Sequence, residues 1–202
     1  FFVTEQSGYN HLVHEGTEKS KIHFVGNTMI DTLVAFEPEI QQSDILSRIG
    51  IESKPFVLMT MHRPSNVDSK ERLEILLDII DHICEKHFLV WPIHPRTLNN
   101  LKKFDLYQRF EANKKIITTE PLDYFAFQKL ISAAQFIVTD SGGIQEETTF
   151  RKIPCLTLRE NTERPSTVTI GSNELISYNA QSVIEKIEEI VQGKYKKGQI
   201  PP

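Results

Sequence analysis

The chain has 202 residues, 39% of them hydrophobic and 25% charged, with 23 basic against 27 acidic side chains and a formal net charge of −4. That much apolar material builds a core and excludes a disordered chain, while the charge balance lacks the basic excess that a nucleic-acid surface needs. No apolar run reaches the roughly 18 residues of a membrane span, so neither nucleic acid nor membrane is expected as a partner.

The opening stretch, FFVTEQSGYNHLVHEG, has no basic n-region, apolar h-region or cleavage site, so it does not read as a signal peptide. It starts on Phe1 rather than Met, and the chain is expected to be a piece of a longer protein. Residues 1–20 read as a helix or linker from another lobe, and 21–202 as one domain. From residue 21 the expected strands are 22–26, 56–61, 88–94, 115–119, 136–140 and 154–158. Short, near-continuous apolar runs of this kind suit a parallel sheet covered on both faces.

Between them lie amphipathic segments. Ser69–Lys86 places Leu73, Leu76, Leu77, Ile80 and Ile83 on one helical face. Helices are also predicted over Asp123–Ala134, Gly143–Arg151 and Gln181–Gln192. Six strand–helix alternations define an open, doubly wound, mostly parallel α/β domain, whose ligands collect at the carboxyl ends of the strands. Cys84 and Cys155 have no metal-type spacing and fall in apolar runs, as reduced core thiols of a cytoplasmic protein would. No metal site is expected.

Five strand-end segments carry candidate chemistry. In FIVTDSGGIQEE (136–147) a strand ends at Asp140, and Ser141, Gly142 and Gly143 turn into a helix. Glycines let backbone N–H groups approach a ligand, and a helix amino terminus carries about half a positive charge, so this turn suits a diphosphate. It also reads as a plain turn capped by Asp140 or Ser141. Glu146 and Glu147 diverge by about 100° around the helix, so one is expected to face the ligand and the other solvent or a neighbouring element. In FVLMTMHRPSN (56–66), His62 and Arg63 emerge from a strand end where they can reach a phosphate. His94 in WPIHPRT stands at another strand end. RENTERPSTVTIGSNELI (159–176) brings Arg159, Glu163 and Arg164 to a loop, as solvated charge or as a grip on sugar or phosphate. In PLDYFAFQKL (121–130), Tyr124, Phe125 and Phe127 read as core before base-stacking surface.

Together VGNTMID, MTMHRPSN, PLDYFAF, TDSGGIQEE and RENTERPSTVTIGSNELI resemble one family, the non-hydrolysing UDP-N-acetylglucosamine 2-epimerases, in order and spacing over essentially the whole chain. The resemblance implies a Rossmann-like, carboxyl-terminal lobe of a two-lobed fold of the glycosyltransferase-B type. It places Ser141, Gly142 and Gly143 on the diphosphate of UDP, Glu147 on the ribose hydroxyls and Phe127 against the uracil. His62 would contact the phosphates and favour departure of UDP. Residues matching Arg63 and His94 belong in relatives to a second, activating sugar-nucleotide site, and Arg164 would line the cleft. Pro64-Ser65-Asn66 departs from the family's commoner Arg-Glu-Asn, losing a charge and a backbone donor. The general acid and base carboxylates are implied in the other lobe. UDP and a UDP-N-acetylhexosamine are the expected ligands, with no cofactor and a homodimeric full-length protein. The alternatives are a glycosyltransferase of the same two-lobed type and a non-catalytic binding module.

Overall fold

The computed structural model describes residues 1–201. The chain begins with β1 (Phe2–Val3), α1 (Gln6–His14) and β2 (His23–Phe24), then α2 (Thr28–Ala35), α3 (Glu37–Gln42) and α4 (Ile45–Arg48). Alternation follows: β3 (Phe56–Thr60), α5 (Pro64–Val67), α6 (Lys70–Lys86), β4 (Phe88–Pro92), α7 (Pro95–Lys103), α8 (Tyr107–Ala112), β5 (Ile116–Thr119) and α9 (Tyr124–Ala133). The series closes with β6 (Phe136–Thr139), α10 (Gly143–Arg151), β7 (Cys155–Thr157), α11 (Pro165–Thr169), β8 (Asn173–Leu175) and α12 (Ala180–Val191).

β3 to β8 form a parallel sheet in the order β5-β4-β3-β6-β7-β8. The winding reverses between β3 and β6, so the loops leaving these neighbours diverge and open a crevice. Side chains alternate between two cores. Val57, Met59, Leu89, Trp91, Phe136 and Val138 meet α6, α7, α8 and α12 on one face. Phe56, Leu58, Val90, Ile137 and Cys155 meet α4, α9 and α10 on the other. The helices start where their caps stand: Ser69, Asp123 and Asn179 accept the N–H of Arg72, Ala126 and Ser182 at 3.3, 2.9 and 3.1 Å.

Two strand expectations need correction. The 22–26 segment does form a strand, but outside the main sheet: His23–Phe24 pairs with Phe2–Val3 in a separate two-stranded parallel ribbon. Ile22 and Val3 are buried, but Phe24, Val25 and Phe2 are 53%, 45% and 78% exposed. The sixth strand is instead β8, within a segment read as loop. Its polar sequence disguises it, because Asn173 is fully buried and held by hydrogen bonds rather than by apolar packing. Both cysteines are buried thiols, each pushed up to about 11 by burial.

Leu77 faces the sheet from the middle of α6 and is 1% exposed. Leu77→Ala is expected to cost about 2–5 kcal/mol in urea unfolding with an unchanged m-value. A loss below about 1 kcal/mol would show that the helix does not clamp that face.

Candidate functional site

The crevice is organised by a residue that the sequence offers only as a strand end or a helix cap. Asp140 directly follows β6 and is 0% exposed. Its carboxylate accepts the backbone N–H of His62 at 3.0 Å and of Arg63 at 2.8 Å, and the side-chain amide of Asn66 at 3.2 Å. The His62 ring Nδ1 stands 3.0 Å from the other oxygen. The second N–H of the Asn66 amide reaches the carbonyl of Leu158 at 3.3 Å. One buried carboxylate and one amide therefore tie together the ends of β3, β6 and β7. The Tyr178 hydroxyl lies 3.1 Å from the Asn66 carbonyl and 2.9 Å from that of Arg72, closing the loop from behind. Pro64 fits at the first position of α5, where a helix has no use for the missing N–H.

Burial alone pushes Asp140 upward. The His62 ring and the N–H groups of Arg63 and His62 outweigh it and leave the carboxyl below its ordinary value of 3.8. The same hydrogen bond raises His62 above its ordinary 6.5, against burial and the charge of Arg63.

Beyond Asp140 the chain turns through Ser141 and Gly142 into α10, with no side-chain cap at Gly142. Neither glycine has positive φ. A Cβ on Gly142 would meet Arg159 and Glu163 at 3.4 Å, and one on Gly143 would meet Met29 at 3.5 Å. The chain's own packing thus tolerates alanine here. Arg159 and Glu163 form a two-pronged pair at 2.9 and 3.0 Å beside this turn, and the guanidinium holds the Glu163 carboxyl down at about 2.

Glu146 and Glu147 do diverge, but neither faces solvent: they are 7% and 5% exposed. Glu146 accepts the Asn27 amide at 2.7 Å and pairs with Arg164 Nε at 3.0 Å. This places Arg164 against the helix on its α2 side, 32% exposed. Glu147 lies toward α9, where burial raises its carboxyl, offset in part by the Gln128 amide and Arg151. Phe127, from α9, is half-buried against the second core. His94 caps α7 by accepting the Arg96 N–H at 3.1 Å, with its ring centroid 6.2 Å from that of His62. The structure therefore gathers His62, Arg63, Ser141, Gly142, Gly143 and His94 at the strand ends, with Glu147 and Phe127 on the α9 side of the turn.

Sequence reasoning missed Gln145, which is fully buried. Its carbonyl oxygen accepts from Thr162 at 2.6 Å and Asn173 at 3.1 Å, and its amide reaches the Ser141 carbonyl at 3.3 Å. It locks the TERP loop and β8 to the turn. The sequence carried no signal for it, because Gln145 is followed by Glu146, Glu147, Thr148 and Thr149, polar residues that are buried as well. A cavity of about 630 Å³ opens on the far side of α10, between Glu5, Asn27, Ile30, Glu146, Phe150 and Ile170, away from the strand ends.

A parallel sheet of this order, with an uncapped glycine turn at the reversal and two basic strand-end loops beside it, defines a Rossmann-like lobe of the glycosyltransferase-B type. The profile of the UDP-N-acetylglucosamine 2-epimerase family matches residues 1–200. The chain belongs to that family. It is 40% identical to the Methanocaldococcus jannaschii UDP-N-acetylglucosamine 2-epimerase, a match covering 96% of this chain and 54% of that protein. Identity to the Escherichia coli K12 enzyme is 30%, over 95% of this chain and 52% of that protein. The chain spans about half the length of the curated relatives it matches. Among solved structures, the M. jannaschii enzyme in complex with UDP-GlcNAc and UDP superposes with a TM-score of 0.87 at 38% identity, over 98% of this chain and 56% of that one. The Neisseria meningitidis enzyme bound to UDP-GlcNAc gives 0.85 at 26%, over 99% of this chain and 56% of that one. An E. coli ADP-heptose heptosyltransferase, at 13% identity and 0.57, shares the fold alone, over 78% of this chain and 52% of that one.

Asp140→Ala strands four donors and is expected to cost about 2–3 kcal/mol, whereas Asp140→Asn keeps an acceptor and costs less. The pair also sets a pH window. Asp140 is depressed, so its contribution is complete above pH 3.8 and is lost as pH falls through the folded-state value. His62 is raised, so its contribution is complete below pH 6.5 and is lost as pH rises through the folded-state value. Thermal unfolding of wild type against Asp140→Asn should show the largest gap between these limits. A gap independent of pH would contradict the ion pair.

Proposed function

We propose that this chain is the UDP-binding lobe of an enzyme that interconverts UDP-N-acetylglucosamine and UDP-N-acetylmannosamine. The observation that carries this reading is the turn Ser141-Gly142-Gly143 at the sheet's reversal, with His62 and Arg63 beside it. Both glycines keep ordinary contacts that a Cβ would not violate, so their use lies in close approach to a ligand.

In the proposed reaction the sugar's C2 loses its proton and the C1–O bond to UDP breaks, giving 2-acetamidoglucal. UDP then adds back, with the proton delivered to the other face of C2. Negative charge gathers on the departing diphosphate, and fixed donors aimed at it stabilise it without reorganisation. Here those donors are the N–H groups of the turn, the positive end of α10, the Ser141 hydroxyl, and His62 with Arg63. Glu147 would accept the ribose hydroxyls and Phe127 would lie against the uracil. Proton transfer at C2 is assigned to carboxylates of a second lobe. The exposed ribbon of β1 and β2, with Phe1 at 62%, supports a linker toward that lobe within residues 1–20 and its pairing partner. This 202-residue chain alone should therefore bind UDP and turn over nothing.

Calorimetric titration with UDP, dTDP and GDP tests the reading. Two hydrogen bonds to a charged acceptor are worth about 1.5–3 kcal/mol each, so UDP should bind about tenfold or more tighter than dTDP, which lacks the ribose 2′-hydroxyl. Glu147→Ala should erase that gap. Equal binding of all three nucleotides would leave only a generic phosphate cradle, and an epimerase rate from this chain would refute the division of labour.

A further inference from the structure

The two histidines at the crevice are held in opposite senses. His62 Nδ1 is 3.0 Å from the Asp140 carboxylate, which when ionised can only accept, so this nitrogen carries a hydrogen. His94 Nδ1 accepts the Arg96 backbone N–H at 3.1 Å, so this nitrogen carries the lone pair and the hydrogen sits on Nε2. We propose that Asp140 is a positioning residue that makes His62 the cationic histidine of the diphosphate turn. The inference rests on the reading of that turn as a UDP site.

Asp140 can do this because it is immobile. It is fully buried and also holds the backbone of His62 and Arg63, so loop and ring are fixed by one anchor. With Nδ1 committed to Asp140, Nε2 is the ring's remaining polar atom, on a side chain 46% exposed. Protonated, Nε2 donates to an anionic oxygen; deprotonated, it presents a lone pair that repels one. The charged and titratable groups around the ring are Asp140 at the end of β6, Arg63 on the same loop, and His94 after β4. Tyr178 lies behind Asp140, and Glu163 on the TERP loop faces Arg63. Arg63 opposes a second positive charge, whereas Asp140 favours it and prevails through direct contact.

The test follows ring nitrogens and UDP affinity together on the 202-residue chain. Nitrogen-15 histidine spectra from about pH 5 to 9 should show His62 protonated on Nδ1 throughout and titrating above its ordinary value. His94 should show the Nε2–H tautomer. UDP affinity should fall by about tenfold across the His62 titration, the equivalent of one pKa unit. Asp140→Asn should move both the ring titration and the affinity inflection down together, a coupled shift that a merely structural residue would not produce. His62 titrating at or below 6.5 in wild type, or a folded Asp140→Asn whose inflection stays in place, would overturn the proposal. If that variant does not fold, the wild-type tautomer and titration decide alone. Absence of UDP binding at every pH would overturn the nucleotide reading instead, while the ring spectra still judge Asp140.

Discussion

A single carboxylate, Asp140, sets the geometry on which the rest of the crevice depends. An ionised group with no solvent exposure is tolerable only if it is fully hydrogen-bonded, and Asp140 meets this with donors drawn from one neighbouring loop. Satisfying its charge forces His62, Arg63 and Asn66 into place. Asn66 then passes the constraint to β7 through the Leu158 carbonyl. The strand ends are held together by the solvation demand of one buried anion.

A second polar hub works alongside it. Gln145 reaches the turn, the TERP loop and β8, and Asn173 extends the chain of bonds to Thr157 at 2.6 Å. Such a network is stabilising only when its members are paired, which gives it specificity that apolar contacts lack. It explains how the short polar strand β8 belongs to the sheet. Arg164 and Glu146 add an ion pair on the outer side of the same helix. Basic groups are thus placed one by one around the Ser141-Gly142-Gly143 turn in a chain whose net charge is −4.

Family membership and the half-length match give this architecture its meaning. In the proposed two-lobed enzyme this lobe would specialise in the leaving group, because the proposed departure and return of UDP would alter charge at the diphosphate while proton transfer would occur at C2. The rigid sheet and its two polar hubs suit the first task. No helix among the described residues is long and apolar enough to cross a membrane.

The sequence by itself determined the parallel α/β class, five of the six sheet strands and the long helices, because hydrophobic periodicity and caps are local. It also marked His62, Arg63 and the Ser141-Gly142-Gly143 turn, because strand ends and glycine turns are read from a few adjacent residues. It misplaced 22–26, which pairs in a two-stranded ribbon that leaves Phe24 and Val25 exposed, and missed β8, whose buried residue is polar. Only the tertiary structure decided that Asp140 is an anchor rather than a helix cap, that Gln145 is a hub, and that Arg164 is engaged with Glu146. The physical reason is that a polar residue's role depends on which distant donors meet it in the interior. Those pairings span 77 positions for Asp140 with Arg63 and 17 for Gln145 with Thr162, and no local pattern encodes them.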